Sequence, residues 1–228
     1  MLLVKQYGLR RTGTNFLQWL LEANYKVQFE RSYVGRDEID RKHGYCKTKQ
    51  VSDEYLPTIV CTRHPLSWLY QVYRYYNIWE LTRITFEQFM LRADAHIVPL
   101  NCHGRDLLER WNWAHEHWLN IDIKPVPKFI CQYEALVQRP ELLCENIMER
   151  FNGLHLRTTD IFKLPDQHCG PLSRMRGTAV LSDYDRQWEP QKKFMQLYTP
   201  RVLELVKHEI SEDLMKRLRY DWKGYICQ

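Results

Sequence analysis

Two short stretches carry residues suited to gripping an anion. The first is Gly8-Leu9-Arg10-Arg11-Thr12-Gly13-Thr14-Asn15, set between an apolar run and a helical one. Its glycines have the G-x-x-x-x-G spacing of a Walker A loop. In such a turn the loop amides and the N-terminus of the next helix point at one spot, and the helix dipole adds positive potential there. A phosphate or sulfate is the expected guest. The Lys-Ser/Thr pair expected after the second glycine is replaced by Thr14-Asn15, which argues against ordinary ATP or GTP hydrolysis. Cations sit inside the loop instead, as Arg10 and Arg11. A plain strand-to-helix turn with a glycine cap is the simpler alternative.

The second stretch is Thr62-Arg63-His64-Pro65-Leu66-Ser67-Trp68-Leu69-Tyr70-Gln71-Val72-Tyr73. An arginine at the C-terminal end of a strand faces the crevice where α/β proteins bind ligands, and guanidinium suits bidentate phosphate contact. The alternative is an arginine paired with a surface carboxylate. Among nine histidines, His115 and His117 are two apart on a helix and face different sides, so they read as packing or surface residues, not a shared metal site. His64 reads as a residue at a helix N-terminus. The run Tyr73-Arg74-Tyr75-Tyr76-Asn77-Ile78-Trp79 could stack on a sugar, phenol or adenine, or be ordinary core.

The elements that must hold these residues alternate between strand and helix. Strands are expected over Leu2–Tyr7, Thr58–Thr62 and Lys128–Tyr133. Helices are expected over Thr14–Ala23, about Leu66–Ile78 with Pro65 in the first turn, two pieces between Phe86 and Asn120, and Pro140–Phe151. Short helices and turns follow to Trp222, and residues 31–57 and 165–183 read as polar loops. Such alternation implies an α/β fold with a central parallel sheet flanked by helices, in a single domain spanning residues 1–228.

With 228 residues the chain can bury a full core. No run of 18 apolar residues suggests a membrane span, and the first residues turn polar too soon for a signal peptide, so a cytoplasmic location is expected. A net charge of +5 fits an anionic ligand, an acidic glycan or loose nucleic-acid contact without choosing among them. Without a basic helix or RNA-binding motif, nucleic acid ranks last. Seven cysteines, odd in number and without a CxxC pair, suit a reducing compartment and argue against zinc.

Together the two anion-suited stretches resemble the PAPS-dependent sulfotransferases, especially the short members from bacteria and viruses. The 5′-phosphosulfate loop of that family is matched by Arg11-Thr12-Gly13-Thr14-Asn15. Its 3′-phosphate signature is matched by Arg63-His64-Pro65, with Gln71 where a serine is usual and Tyr73 nearby. Gln132-Tyr133-Glu134-Ala135-Leu136, followed by Arg139-Pro140-Glu141, is similar to the family's Tyr-Glu-Asp-Leu segment, with Ala135 replacing the aspartate. Ser173-Arg174-Met175-Arg176-Gly177 is similar to its late basic loop, though a solvated charge run would look the same. Leu214 to Trp222 is similar to its last helix and turn, and Phe16 stands where members place an aromatic beside the adenine.

The resemblance implies a P-loop-like sulfotransferase fold and transfer of a sulfo group from PAPS, leaving PAP, to a hydroxyl or, second, an amine. The acceptor would be a carbohydrate or small molecule. By analogy with phosphoryl transfer, such an enzyme positions its reactants and stabilises charge. Arg10, Arg11, Thr12, Gly13, Thr14 and Asn15 would hold the phosphosulfate, with Arg11 on the leaving group. Arg63, Gln71, Arg176 and Gly177 would hold the 3′-phosphate. In Arg41-Lys42-His43-Gly44, His43 would be the general base and Lys42 would touch the transferring group; His103 is the second candidate base. No metal is required. The rivals are a nucleotide or small-molecule kinase and a non-catalytic PAP- or glycan-binding module.

Overall fold

The computed structural model describes residues 1–9, 11–30, 56–79, 84–91, 104–120, 127–164 and 192–226. The chain divides into two compact units. Met1–Thr62 with Ile121–Gln187 forms the first, and Arg63–Asn120 with Trp188–Gln228 the second.

The first unit is the sheet. Among the described residues it has four strands, all parallel: β1 (Leu2–Gly8), β2 (Val27–Phe29), β3 (Thr58–Thr62) and β4 (Lys128–Gln132), in the order β2-β1-β3-β4. Every residue of β3 is buried, as expected of a central parallel strand covered on both faces. Helix α1 (Thr14–Asn24) crosses from β1 to β2. It buries Phe16, Leu17, Leu20, Leu21 and Asn24, the i, i+4, i+8 stripe of an amphipathic helix. The expected strands and helices are present, with two additions. β2 is a three-residue strand that hydrophobic alternation is too short to signal. Tyr133, read as the end of a strand, instead opens a separate short helix, Tyr133–Gln138.

The strand order gives the unit its one topological switch point among the described residues. From β1 the chain goes by α1 to a neighbour on one side, while β3 lies on the other. β1 and β3 are in register from Lys5 with Thr58 to Gly8 with Cys61. Their C-terminal ends therefore flank the crevice where open α/β sheets take ligands, and the glycine loop leaves β1 at that end. Helix Pro140–Arg150 contributes Leu143, Cys144, Ile147 and Met148 to the same core as β1, β3, β4 and α1.

The second unit is helical among its described residues. It contains α2 (Pro65–Trp79), α3 (Phe86–Leu91), α4 (Gly104–Asn120), α7 (Pro200–Glu209), α8 (Glu212–Arg217) and α9 (Lys223–Ile226); α5 and α6 are the first unit's Tyr133–Gln138 and Pro140–Arg150. Its core is aromatic. Trp68, Tyr70, Phe86, Phe89, Trp111, Trp118, Phe194 and Tyr198 are all buried. Thr199 and Ser211 cap α7 and α8 by accepting from the N–H groups of Val202 and Leu214, the standard role of such residues at helix starts. Asn112 of α4 bridges the turn between them, donating to Glu209 O at 2.6 Å and accepting from Ser211 N at 3.0 Å. Among the described residues no helix is long and apolar enough to cross a membrane.

Candidate functional site

Both glycines of the loop are required by contact geometry. A Cβ on Gly8 would lie 2.6 Å from Thr14 Cγ2, 2.7 Å from Thr12 Oγ1 and 2.9 Å from Cys61 Cβ. A Cβ on Gly13 would lie 2.7 Å from Tyr133 Cδ2. Gly13 also has φ +83° and ψ 11°, the left-handed region where glycine alone is unstrained. Tyr133 and Leu136 thus form a floor under the second glycine, which gives the Tyr133-to-Leu136 segment a physical role beside the loop.

The turn is shaped from within. Thr12 is fully buried, and its hydroxyl donates to Leu9 O at 2.7 Å while its N–H points to the same carbonyl at 3.2 Å. Thr12 therefore folds the loop. Arg11 is half-buried with φ 74°. A non-glycine residue there costs of order 1–3 kcal/mol and is characteristic of ligand clamps. Gln6, buried on β1, donates from Nε2 to Thr14 O at 3.0 Å and to Cys61 Sγ at 3.2 Å. It ties β1 and β3 to the first residue of α1.

The helix end that results carries the positive end of the α1 dipole. The first intrahelical bond joins Leu17 N–H to Gly13 O at 3.0 Å, so the N–H groups of Thr14, Asn15 and Phe16 are terminal donors. The N-cap is Gly13, which has no side chain to cap this end, and the first turn contains no acidic residue, although such groups are the usual local answer to an N-terminal dipole. Phe16 lies in the core cluster.

Arg63 is buried, with 3% exposure. Its Nε donates to Ser67 Oγ at 2.6 Å and its carbonyl accepts from Trp111 Nε1 at 3.2 Å. Ser67, one helical turn along α2, is the partner that sequence reading missed; the i, i+4 spacing from Arg63 was the available signal. Gln71 lies half-buried further along α2. Tyr73, of the aromatic run, is half-buried, packs edge-on against Phe86 and Phe89 and donates to Ile84 O at 2.9 Å.

His64 is the N-cap of α2. Its Nδ1 accepts from Leu66 N–H at 3.3 Å, and Nε2 lies 3.1 Å from Asp221 O, so the ring is neutral with its proton on Nε2. Burial pushes its pKa down to about 3. His115 bonds Trp111 O through Nδ1 at 2.6 Å and is fully buried, which lowers its pKa to about 4. His117 is half-buried and stacked on Trp113. The buried thiols are pushed the other way. Cys131 is raised by its hydrogen bond with Cys61, its in-register neighbour, and by burial; burial takes Cys144 to about 12. Neither is a nucleophile in that state.

Arg10, Lys42, His43, His103, Arg176 and Gly177 lie outside the described residues. Among the described residues no three His, Cys, Asp or Glu side chains are grouped to hold a metal ion. Comparison of the chain with protein-family models, curated proteins and solved structures finds no match in any of the three.

Proposed function

We propose that this chain is a PAPS-dependent sulfotransferase with a P-loop-like fold, acting on a hydroxyl of a carbohydrate or small-molecule acceptor. The observation that carries the reading is the loop between β1 and α1. It lies at the sheet's switch point, holds Arg11 and Gly13 at positive φ, and ends in a helix N-terminus with glycine at the N-cap and no acidic residue in the first turn. That arrangement favours a tetrahedral oxyanion. The absence of a Lys-Ser/Thr pair after Gly13 favours a donor that needs no loop lysine and no magnesium over a nucleoside triphosphate.

In the proposed reaction the acceptor oxygen attacks the sulfur of PAPS. A new O–S bond forms, the bond from sulfur to the bridging phosphate oxygen breaks, and PAP leaves with that bond's electron pair. Terminal N–H groups of α1 and the Arg11 guanidinium stabilise the charge growing on the leaving oxygens. Arg63, with Gln71, Arg176 and Gly177, is assigned to the 3′-phosphate. His43 is assigned as the base that takes the acceptor's proton, and Lys42 as a contact to the sulfo group.

Thermal denaturation with PAP, ADP and ATP, each with and without magnesium, tests the ligand class. Saturating PAP at about 100 times its Kd stabilises by about 2.7 kcal/mol, and the expected result is a metal-independent rise in Tm with PAP that the other two do not match. A rise confined to ATP with magnesium would replace this reading with a kinase.

A further inference from the structure

His64 makes contacts that a simple helix cap does not need. Its ring stacks on Tyr225 with centroids 3.7 Å apart and planes 14° from parallel. Tyr220 and Trp222 meet it edge-on at 5.4 and 5.6 Å, and Asp221 O takes its Nε2 proton. Lys192 Nζ lies 4.2 Å from the centroid of the Tyr225 ring and also donates to Gly224 O. Residues 220–225 thus wrap one imidazole. Both ring nitrogens are engaged and the side chain has no exposure, so His64 cannot itself collect a proton from a substrate.

Its neighbour in the chain is Arg63. The Arg63 carbonyl is held by Trp111 and its Nε by Ser67. The next residue is held on its ring by the wrap, through Nδ1 by Leu66 N–H, and through its carbonyl by Trp68 N–H at 2.8 Å. A long arginine loses much rotamer entropy when it must meet a ligand in one geometry, and fixing its backbone beforehand removes part of that cost from binding.

We infer that His64, clamped by the 220–225 segment, is a positioning residue that presents Arg63 to the 3′-phosphate of the nucleotide. The inference rests on the sulfotransferase reading and adds to it a specificity device contributed by a segment near the C-terminal end of the chain. Charged groups bordering the imidazole are Lys192 and Asp221. Burial is what keeps the ring neutral across the working pH range; Lys192 adds to that effect and Asp221 opposes it.

The test is calorimetric titration of the full chain with PAP and with adenosine 5′-phosphate, which lacks only the 3′-phosphate. Six proteins are compared: wild type, Arg63→Ala, His64→Ala, Tyr225→Ala, and each of the last two combined with Arg63→Ala. The wild type should prefer PAP, and Arg63→Ala should erase the preference. His64→Ala and Tyr225→Ala should each cut it about tenfold, the scale of a misplaced binding group, with adenosine 5′-phosphate affinity unchanged. Neither should add anything in the Arg63→Ala background; a general loss of stability would not give that pattern. If His64→Ala does not fold, Tyr225→Ala alone decides, because it removes the stacked ring and leaves the cap. If Arg63→Ala loses the preference while both clamp variants keep it, the inference falls and the sulfotransferase reading stands. If Arg63→Ala keeps the preference, the inference falls as well. If the wild type shows no preference for PAP, both fall.

Discussion

The two units hold their key parts in opposite ways. In the sheet unit the anion-suited feature is backbone: the turn at Arg11 to Gly13, two glycines that admit no Cβ, and the terminal amides of α1. In the helical unit the comparable feature is side chain, with an arginine, a serine and a histidine locked among aromatic rings. Backbone donors do not titrate, and side-chain cages do. The buried ionisable groups differ to match. Cys131 and Cys144 of the sheet unit have raised pKa values, whereas His64 and His115 of the helical unit have lowered ones. Acid should therefore find the helical unit first.

The largest expected effect follows from that difference. Both imidazoles are neutral when folded and take up a proton near 6.5 when unfolded. Their contribution is complete above that pH and is lost as pH falls, down to about 3 for His64 and about 4 for His115. Each costs about 1.4 kcal/mol of stability per pH unit across its window. Amide exchange at pH 4.5, compared with pH 7 after correction for intrinsic rates, should show α2, α4 and the 220–225 segment losing protection while β1 and β3 retain theirs. Equal loss in both units would remove the distinction.

A smaller effect probes the other side. Gly13→Ala adds a Cβ that would meet Tyr133 at 2.7 Å in a left-handed backbone. Overpacking and strain together should cost about 2–4 kcal/mol, read by urea denaturation. The PAP-induced rise in Tm should vanish with it, while the pH response of the helical unit should not change. A variant of wild-type stability that still binds PAP would show that the loop does not need its glycines.

Much of the sheet unit was legible in the sequence, because its signals are local. Thr58–Thr62 is an uninterrupted β-branched and apolar run, and Gly8 and Gly13 mark a tight turn. β2 was missed because three residues cannot show a period, and it exists only by pairing with Leu2 to Val4 of β1. The helix at Tyr133 was missed because its start has no side-chain cap, so the apolar strand runs into it without a break. In the helical unit Pro65 announced α2, yet nothing local tied His64 to Asp221, 157 positions later. The inward turn of the Thr12 hydroxyl to Leu9 O was not legible either; a buried loop must satisfy its own carbonyls.

The central claim is that the α1 amides receive the phosphate end of a nucleotide, and amide NMR reads it directly. On titration with PAP, the N–H resonances of Gly13, Thr14, Asn15 and Phe16 should shift downfield together and saturate at one Kd. Saturable PAP binding that leaves those four resonances in place, or no binding at all, would contradict it.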